Sequence, residues 1–370
     1  MNKPVYIIAA LRTPIGKVGR SLKDLQIHQL VAPLIVELLK RCDLPFAAVD
    51  EVVLGNAAGP GGNPARVAAL AAGLPMDIPG VTVDRQCGSG LEAIHYAARL
   101  IQSGAAEIVL AGGAESASTA PLRVRQSDRR FYQRAPFTPE FMDDPEMGMA
   151  AENVAAEFSI SRHAQDCLAL ASHRNASAAE AAGLLNAERF AIAGITSDEC
   201  LRTDCTLQAL SELPPVFVEN GTVTAGNACP INDGAAMLLL SRRRPSATAT
   251  PVLQFIDAST CGVEPRLLGS GPIPATRKLL QRTGFEMESI DAVEFNEAFA
   301  AQVLACVKAL DIPLERLNQR GGALATGHPY GASGAILVTR LLHQLLPGQT
   351  GLATIGIGGG MGLSALFEAV

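Results

Sequence analysis

The chain has 370 residues, of which 48% are hydrophobic, 4% aromatic and 18% charged. This composition is typical of a core-rich globular protein, and the length suffices for two or three domains of about 150 residues each. The formal net charge of −6 disfavours nucleic acid as a partner, because an acidic protein has no basic field to displace the counterions of a phosphate backbone.

Strand-like and helix-like segments alternate in chain order. VYIIAALR predicts a first strand, LVAPLIVELLKR (Leu30–Arg41) a helix, VDEVVLGN a strand and NPARVAALAAGL a second helix. An amphipathic helix follows the turn RQCGSG, and AEIVLAGGAES predicts the next strand. This alternation predicts an α/β protein with a mostly parallel sheet covered by helices.

Residues 121–220 differ from their flanks. They are rich in Ala, Arg and Ser, and SRHAQDCLALASHRNASAAEAAG predicts a long helix. We interpret this stretch as an inserted, mainly helical loop domain that lies over the first half of the chain. The predicted boundaries are 1–120 for the first part of the N-terminal half, 121–220 for the loop domain, 221–247 for the return to that half and 248–370 for the C-terminal half.

The second half of the chain repeats the first. VDEVVLGN resembles IDAVEFNE (Ile290–Glu297), and 37 residues separate Asp50 from Cys87, as they separate Asp291 from His328. Each of these turns precedes a helical run and then a strand ending in glycines. Two copies of one βα unit explain this order, and a pseudo-twofold would bring the Cys87 and His328 turns to equivalent, facing places.

Cysteine usage and apolar runs indicate where such a chain would reside. The eight cysteines form no Cys-x-x-Cys pair and no histidine stands at zinc-finger spacing, so we expect no structural metal. The apolar stretch before Arg12 is too short for a secretory signal, and no apolar run reaches the roughly 18 residues of a membrane span. We therefore expect free thiols in a reducing cytoplasm, with no membrane partner.

Cys87 stands where a strand turns into a helix. A thiol at a helix N-terminus experiences the positive end of the helix dipole and free backbone N–H groups, both of which lower its pKa. We expect Gly88 and Gly90 to leave room for a ligand chain. The alternative is an inert buried cysteine, and the matched His328 turn favours a nucleophile.

Many blocks of the chain are similar to the thiolase family, in its order and near its spacing. They include LRTPIGKVGRSL, RQCGSGLEAI, GTVTAGNACPINDGAA, EFNEAFAAQ, GGALATGHPYGASGA and GIGGGMG, and together they span nearly the whole length. The resemblance implies a five-layer αβαβα fold of two pseudo-repeated βα halves, and acyl-thioester chemistry in fatty acid metabolism. It also implies coenzyme A or acyl-CoA as substrate, with no permanently bound cofactor, and a homodimer.

The resemblance assigns site residues. Cys87 matches the acyl-accepting cysteine, and His328 the histidine that activates it and helps hold the thioester oxygen, roles that suit a side chain titrating near neutrality. Asn296 matches the residue that holds an oxyanion-hole water, and Gly358 with the Cys87 N–H matches a second oxyanion hole. The cofactor-binding positions follow in the same way: Arg202 at the coenzyme A nucleotide, Phe217, Ala225, Ala228 and Cys229 along the adenine and pantetheine, and Phe299 beside the acyl group. A solvated surface charge is the alternative for Arg202.

Three features depart from the family pattern. Gly356 stands where the family has the second cysteine, of a Cys-x-Gly-Gly-Gly pattern, which moves the α-proton of the second thioester. Such acid–base catalysis is worth about 10²–10⁴-fold, or roughly 3–5 kcal/mol of barrier, and Cys229 and Cys306 are substitutes by residue type only. Glu146 replaces a coenzyme A-contacting histidine. RVRQSDRRFYQR also places five arginines close together, as a solvated arm or as a patch for coenzyme A phosphates or an acyl carrier protein: Arg123, Arg125, Arg129, Arg130 and Arg134.

The sequence leaves three functions open. The first is a thiolase-type acyltransferase with another group or water as the base. The second is a decarboxylating condensing enzyme, or an acyltransferase to another acceptor, because the Cys, His and Asn set also resembles ketoacyl synthases. The third is a non-catalytic coenzyme A-binding subunit, against which the intact Cys87 and His328 argue.

Overall fold

The computed structural model describes residues 3–132, 134–245 and 251–370. The predicted boundary between residues 247 and 248 lies outside them. The first half contains β1 (Tyr6–Arg12), β2 (Gly16–Lys17), α1 (Ile27–Arg41), β3 (Glu51–Gly55), α2 (Pro64–Ala71), β4 (Gly80–Val83), α3 (Ser89–Ser103) and β5 (Ile108–Ser116). A hairpin and three helices follow: β6 (Arg123–Val124), β7 (Phe131–Tyr132), α4 (Met147–Glu157), α5 (Arg162–Ala181) and α6 (Leu207–Ser211). The rest comprises β8 (Asn232–Ser241), β9 (Leu253–Gly262), α7 (Pro272–Thr283), β10 (Ala292–Phe295), α8 (Ala300–Leu310), α9 (Ala323–Thr326), α10 (Tyr330–Gln344), β11 (Thr350–Ile357) and β12 (Met361–Ala369).

One ten-stranded sheet runs through the molecule in the order β10-β11-β12-β9-β1-β8-β5-β3-β4, with β2 also paired to β8. The half-sheets β3-β5-β8-β1 and β10-β11-β12-β9 match strand for strand: the first pair of each is parallel, and the next two pairs are antiparallel. They join through a short antiparallel stretch of β1 and β9. The predicted repeat is therefore confirmed, and β4 is an extra strand at the edge of the first half.

The expectation of a mostly parallel sheet is wrong. Among the described strands, the parallel pairs of this sheet are β3–β4, β3–β5 and β10–β11, and the other pairs are antiparallel. The link from β11 to β12 explains why, since it spans only residues 358–360. A parallel connection needs a crossover of a dozen or more residues, whereas so short a turn returns the chain antiparallel.

Three apolar clusters separate the layers. The central cluster contains α3 and α10 together with strands of both half-sheets, including Ile94 and Val338. A second cluster packs α1 and α2 on the other face of the first half-sheet. A third packs α7 and α8 on the far face of the second half-sheet. This is the predicted αβαβα arrangement of five layers.

The loop region was expected to lie over the first half, but it also packs against the second half. Leu168 and Leu170 of α5 belong to the apolar cluster of the second half, and Ser172 Oγ donates a 2.6 Å hydrogen bond to the Glu297 carboxylate. Buried polar and apolar groups of α5 therefore find their partners on α8 and its neighbours. A later part of the region returns to β1, where Arg12 forms a buried 2.7 Å ion pair with Glu188.

Close backbone approach holds the central helices together. A Cβ built on Gly90 of α3 would lie 2.6 Å from the Gly331 carbonyl oxygen of α10, and one on Gly88 would lie 2.5 Å from Ile357 Cδ1. The expected room for a ligand at these two glycines is therefore taken by the protein's own chain. The missing side chain at Gly90 lets α3 and α10 approach, which sets the relative position of the turns that precede them, and the one at Gly88 lets the Cys87 turn approach β11.

Candidate active site

The Cys87 turn lies between β4 and α3 and is braced by the first residue of that helix. Ser89 Oγ accepts from the Arg85 backbone N–H at 2.9 Å and donates to the Gln86 carbonyl at 2.6 Å. Gln86 has a φ of 49°, a left-handed conformation that non-glycine residues rarely adopt. This constrained turn fixes the direction of the half-buried Cys87 side chain.

The expected lowering of the Cys87 pKa is wrong. Burial raises the pKa of the thiol to about 12, although the backbone N–H groups of Cys87 and Gly358 act in the opposite direction. Cys87 precedes Gly88, the N-cap of α3, so the cysteine stands outside the helix proper. Desolvation of the charged sulfur therefore outweighs the amides that face it, and the resting group is a neutral thiol.

His328 is buried in the equivalent turn before α10. Burial lowers the pKa of its imidazole to about 4, so the ring is neutral at pH 7. Its Nδ1 lies 2.6 Å from Ser333 Oγ, which in turn lies 3.3 Å from the Pro329 carbonyl. Because that carbonyl can only accept, the serine hydroxyl donates to it and accepts from Nδ1–H, which leaves the lone pair on Nε2.

Asn296 completes this chain of hydrogen bonds. The asparagine is buried at the end of β10, and its Nδ2 lies 3.5 Å from His328 Nε2, where it donates to the lone pair. Its backbone N–H donates to the Thr354 carbonyl of β11 at 3.0 Å. The asparagine and the histidine therefore sit at one end of the second half-sheet, held by separate strands and helices.

A cavity of about 30 Å³ opens beside Cys87. Gly356 and Gly358, at the end of β11, form one wall, and Phe299 and Gln302, at the start of α8, form another. Among the described lining residues, Cys87 alone carries a titratable group. The remaining wall is mainly apolar: Met147, Ala151, Leu268, Gly269 and Ala298.

Four of the six predicted cofactor-binding residues lie in contact with one another or with that wall. The rings of Phe217 and Phe299 meet edge-on at 6.3 Å between centroids. Ala228 pairs with Phe299 across an isolated bridge, and the Cys229 N–H donates to the Ala298 carbonyl at 3.0 Å. Burial raises the pKa of Cys229, and the neighbouring Cys87 adds to that effect, so Cys229 is also a neutral thiol.

Arg202 and Ala225 occupy more open places. Arg202 is exposed, and its backbone N–H donates to His173 Nδ1 of α5 at 3.2 Å. Ala225 is exposed in the turn that Asn227 stabilises through a 2.8 Å hydrogen bond to the Thr224 N–H. Arg202 lies within the loop region and Ala225 lies just after it, and neither lines the small cavity.

The arginine-rich segment is partly tied down. Arg134 pairs with Asp144 at 2.9 Å and stacks over the Phe137 ring at 4.4 Å, and Arg125 pairs with Asp128 at 3.2 Å. A Cβ on Gly358 would lie 2.8 Å from Phe137 Cζ. Arg134 therefore supports a ring that covers Gly358, which is a positioning role rather than a place in a free patch.

Sequence reasoning missed three groups around the site. Ser333 orients His328, and the ring of Tyr330 packs edge-on against the same imidazole at 5.2 Å. Both stand in the GHPYGAS block, so their nearness in sequence was the available signal. Gln302 gave no such signal, because its place beside Gly356 depends on the packing of α8 against β11.

Two family models match the chain: the thiolase N-terminal domain over residues 5–244 and the thiolase C-terminal domain over residues 249–369. A Staphylococcus epidermidis protein, provisionally named an acetyl-CoA C-acetyltransferase, is 46% identical over 381 residues, which cover 100% of this chain and 99% of that protein. A Staphylococcus aureus protein with the same provisional name is 44% identical over 380 residues, 99% of each chain.

Solved structures agree in fold over the full length. The acetyl-CoA acetyltransferase of Bacillus anthracis superposes with a TM-score of 0.92 at 36% identity and covers 100% of this chain and 99% of its own. A thiolase from Ascaris suum, in complex with coenzyme A, superposes with a TM-score of 0.90 at 34% identity, with 100% of both chains covered. The chain is therefore a member of the thiolase family of acyltransferases.

Proposed function

We propose that the protein takes the acyl group of an acyl-CoA thioester onto Cys87, and then makes or breaks the carbon–carbon bond of a β-ketoacyl thioester. The observation that carries this proposal is the meeting of two repeat units. The N-terminal unit places the Cys87 thiol beside the Gly358 N–H. The C-terminal unit contributes a neutral His328, whose Nε2 accepts a hydrogen bond from Asn296.

The first half of the reaction follows from these groups. The Cys87 sulfur attacks the thioester carbonyl while His328 takes the thiol proton on Nε2, because a neutral imidazole is a general base and the 3.5 Å hydrogen bond from Asn296 Nδ2 is long enough to give way. The N–H groups of Cys87 and Gly358 donate to the oxyanion that forms. Collapse of this intermediate expels the coenzyme A thiolate, which His328 can reprotonate, and leaves a Cys87 thioester.

Coenzyme A is the proposed acyl carrier. The Ascaris suum relative is described in complex with this molecule. Phe217, Ala228, Cys229 and Phe299 form a partly exposed wall beside the cavity that would suit a pantetheine arm. We assign the nucleotide to the side of Arg202 and Ala225, which lie on exposed segments farther along the same region.

Intact-mass spectrometry tests the proposal directly. After incubation with a panel of acyl-CoAs from acetyl-CoA upwards, the protein should gain the mass of the acyl group, and the panel should show which chain length loads best. A protein that binds acyl-CoA without gaining mass would contradict the acyl-enzyme and would favour the non-catalytic coenzyme A-binding alternative.

A further inference from the structure

Gln302 has an unusual environment for a buried carboxamide. The residue is 2% exposed and is the third residue of α8, in the wall of the cavity beside Cys87. Neither its Nε2 nor its Oε1 has a hydrogen-bond partner among the described residues. An unpaired buried amide costs free energy comparable to a lost hydrogen bond, so a group that reaches it from a ligand would be stabilised.

The Gln302 carboxamide also occupies the space that a side chain at position 356 would fill. A Cβ built on Gly356 would lie 2.7 Å from Gln302 Nε2, while Gly269 packs against the stem of the glutamine. The wall that faces the acylated Cys87 therefore offers an amide N–H. An amide donates a hydrogen bond but does not accept a proton at neutral pH.

With glycine at position 356 and the Gln302 amide beside it, the site limits which group the α-carbon of the second substrate can lose. Its α-carbon must face the acyl carbonyl on Cys87, and the group it loses as it becomes a nucleophile must then point at a neighbouring wall. A proton leaving towards Gly356 would meet no titratable acceptor among the described lining residues. Carbon dioxide needs no acceptor, and the carboxylate from which it forms needs a hydrogen-bond donor.

From these contacts we infer, on the basis of the function proposed above, that the second substrate is a carboxylated, malonyl-type thioester whose α-carboxylate is bound by the Gln302 amide. The positive end of the α8 dipole, where Gln302 stands, favours the same anion. The cavity of about 30 Å³ admits a group of a few atoms, since a water molecule needs roughly 10–15 Å³. Its mainly apolar wall solvates a carboxylate poorly and so favours its conversion to neutral carbon dioxide.

The step balances without a further reactant. The bond between the α-carbon and the carboxylate breaks, and its electron pair forms the new bond to the acyl carbonyl carbon. Carbon dioxide leaves, the Cys87 sulfur departs with the electron pair of its thioester bond, and one proton from solvent restores the thiol. The product is a β-ketoacyl thioester.

The test compares two second substrates on acylated wild-type protein: malonyl-CoA with a ¹³C-labelled free carboxylate, and acetyl-CoA. We expect labelled carbon dioxide in equimolar amount with β-ketoacyl-CoA, at a rate about 10²-fold or more above that with acetyl-CoA. Acetyl-CoA condensing as fast as malonyl-CoA would overturn the inference. Loading of Cys87 followed by no use of malonyl-CoA would also overturn it, and would leave the acyl-enzyme proposal intact, whereas absence of loading defeats both.

Variants test the role of Gln302 itself. Gln302→Leu keeps roughly the volume and removes the donor, so KM for malonyl-CoA should rise about 10-fold, whereas Gln302→Glu should raise KM increasingly with pH, as the introduced carboxyl ionises and repels the substrate carboxylate. Gln319→Leu is the matched control, because Gln319 is an exposed glutamine whose side chain bonds only the Glu315 carbonyl among its described contacts. An unchanged KM in both Gln302 variants would refute the assignment.

Discussion

Cys87 and His328, which we propose to act together, are each neutral at rest. Burial raises the pKa of the thiol to about 12 and lowers that of the imidazole to about 4. A preformed thiolate–imidazolium ion pair would need the opposite shifts. In the proposed reaction, proton transfer would therefore accompany attack on the thioester, and the N–H groups of Cys87 and Gly358 would act mainly on charge that develops during the reaction.

Replacing the nucleophile tests the proposed acyl-enzyme. Cys87→Ala should abolish the acyl mass gain from acetyl-CoA or a longer acyl-CoA, because Cys87 is the thiol that the Gly358 backbone N–H faces. Cys167→Ala is the matched control, since Cys167 is the exposed cysteine on α5, and it should load like wild type. Equal labelling of the Cys87→Ala protein would assign the acyl group elsewhere.

The pH dependence of loading follows from the His328 pKa. The base works only when neutral, and its pKa of about 4 keeps it neutral down to mildly acidic pH. Single-turnover acyl transfer should therefore show no inflection near pH 6.5, and should fall only as the pH approaches 4. A midpoint between pH 6 and 7 would show that the imidazole is better solvated than its burial implies.

Gly356 carries a prediction about carbon–carbon cleavage. Gly356→Cys should raise thiolysis of a β-ketoacyl-CoA by up to about 10²–10⁴-fold, because it supplies a thiol where an α-proton must be moved. The new Cβ requires the Gln302 amide to shift, since it would lie 2.7 Å from Nε2. Gly356→Ser is the control, with similar crowding and no acidic thiol. Wild-type cleavage as fast as that of Gly356→Cys would mean that another base already serves.

At the scale of elements, the contact of α3 with α10 joins the two parts of the site. Gly90→Ala should destabilise the protein by about 1–3 kcal/mol, because the added methyl group would meet the Gly331 carbonyl at 2.6 Å. Acyl loading should slow as well, since each helix follows one of the two turns. Gly262→Ala is the control, with no atom nearer than 3.8 Å. Equal denaturation midpoints for the two variants would contradict this view of the helix contact.

Sequence patterns predicted correctly which strands and helices are present, but they did not predict correctly how the strands pair. Each strand and helix proposed from periodicity is present, including β10 and α10 of the repeat. Strand direction was predicted wrongly as mostly parallel, because an apolar run looks alike in parallel and antiparallel pairs. The same limit explains Gly88 and Gly90: small residues indicate close approach, but only the packed structure shows that Ile357 and Gly331 are what approach them.

For the whole molecule, the repeat and the family blocks predicted the fold. The pKa values of the site residues depend instead on burial, which the sequence did not predict. The Cys87 pKa was predicted in the wrong direction because desolvation depends on neighbours distant in sequence. The position of Gln302 was missed for the same reason, since α8 and β11 are about 50 residues apart in the chain and meet only when the C-terminal half has folded. Residues 121–220 were misplaced because their apolar face does not tell which half it covers.

Assembly is also predicted at this scale. β4 ends the sheet, and its four residues are neither fully buried nor fully exposed. An unprotected sheet edge beside the nucleophile turn is a natural place for a second copy to pair. Light scattering at micromolar concentration should give at least twice the 38.6 kDa of one chain. A stable monomer would contradict the expected homodimer.

The division of the site between two repeat units has a consequence for biosynthesis. On the ribosome, Cys87 emerges 241 residues before His328. At about 5–20 residues per second, the nascent chain carries its nucleophile for roughly 10–50 s before the base has been made. Under the function proposed above, the thiol lacks its base during that interval, so we expect the growing polypeptide to capture acyl groups only once the C-terminal half is complete.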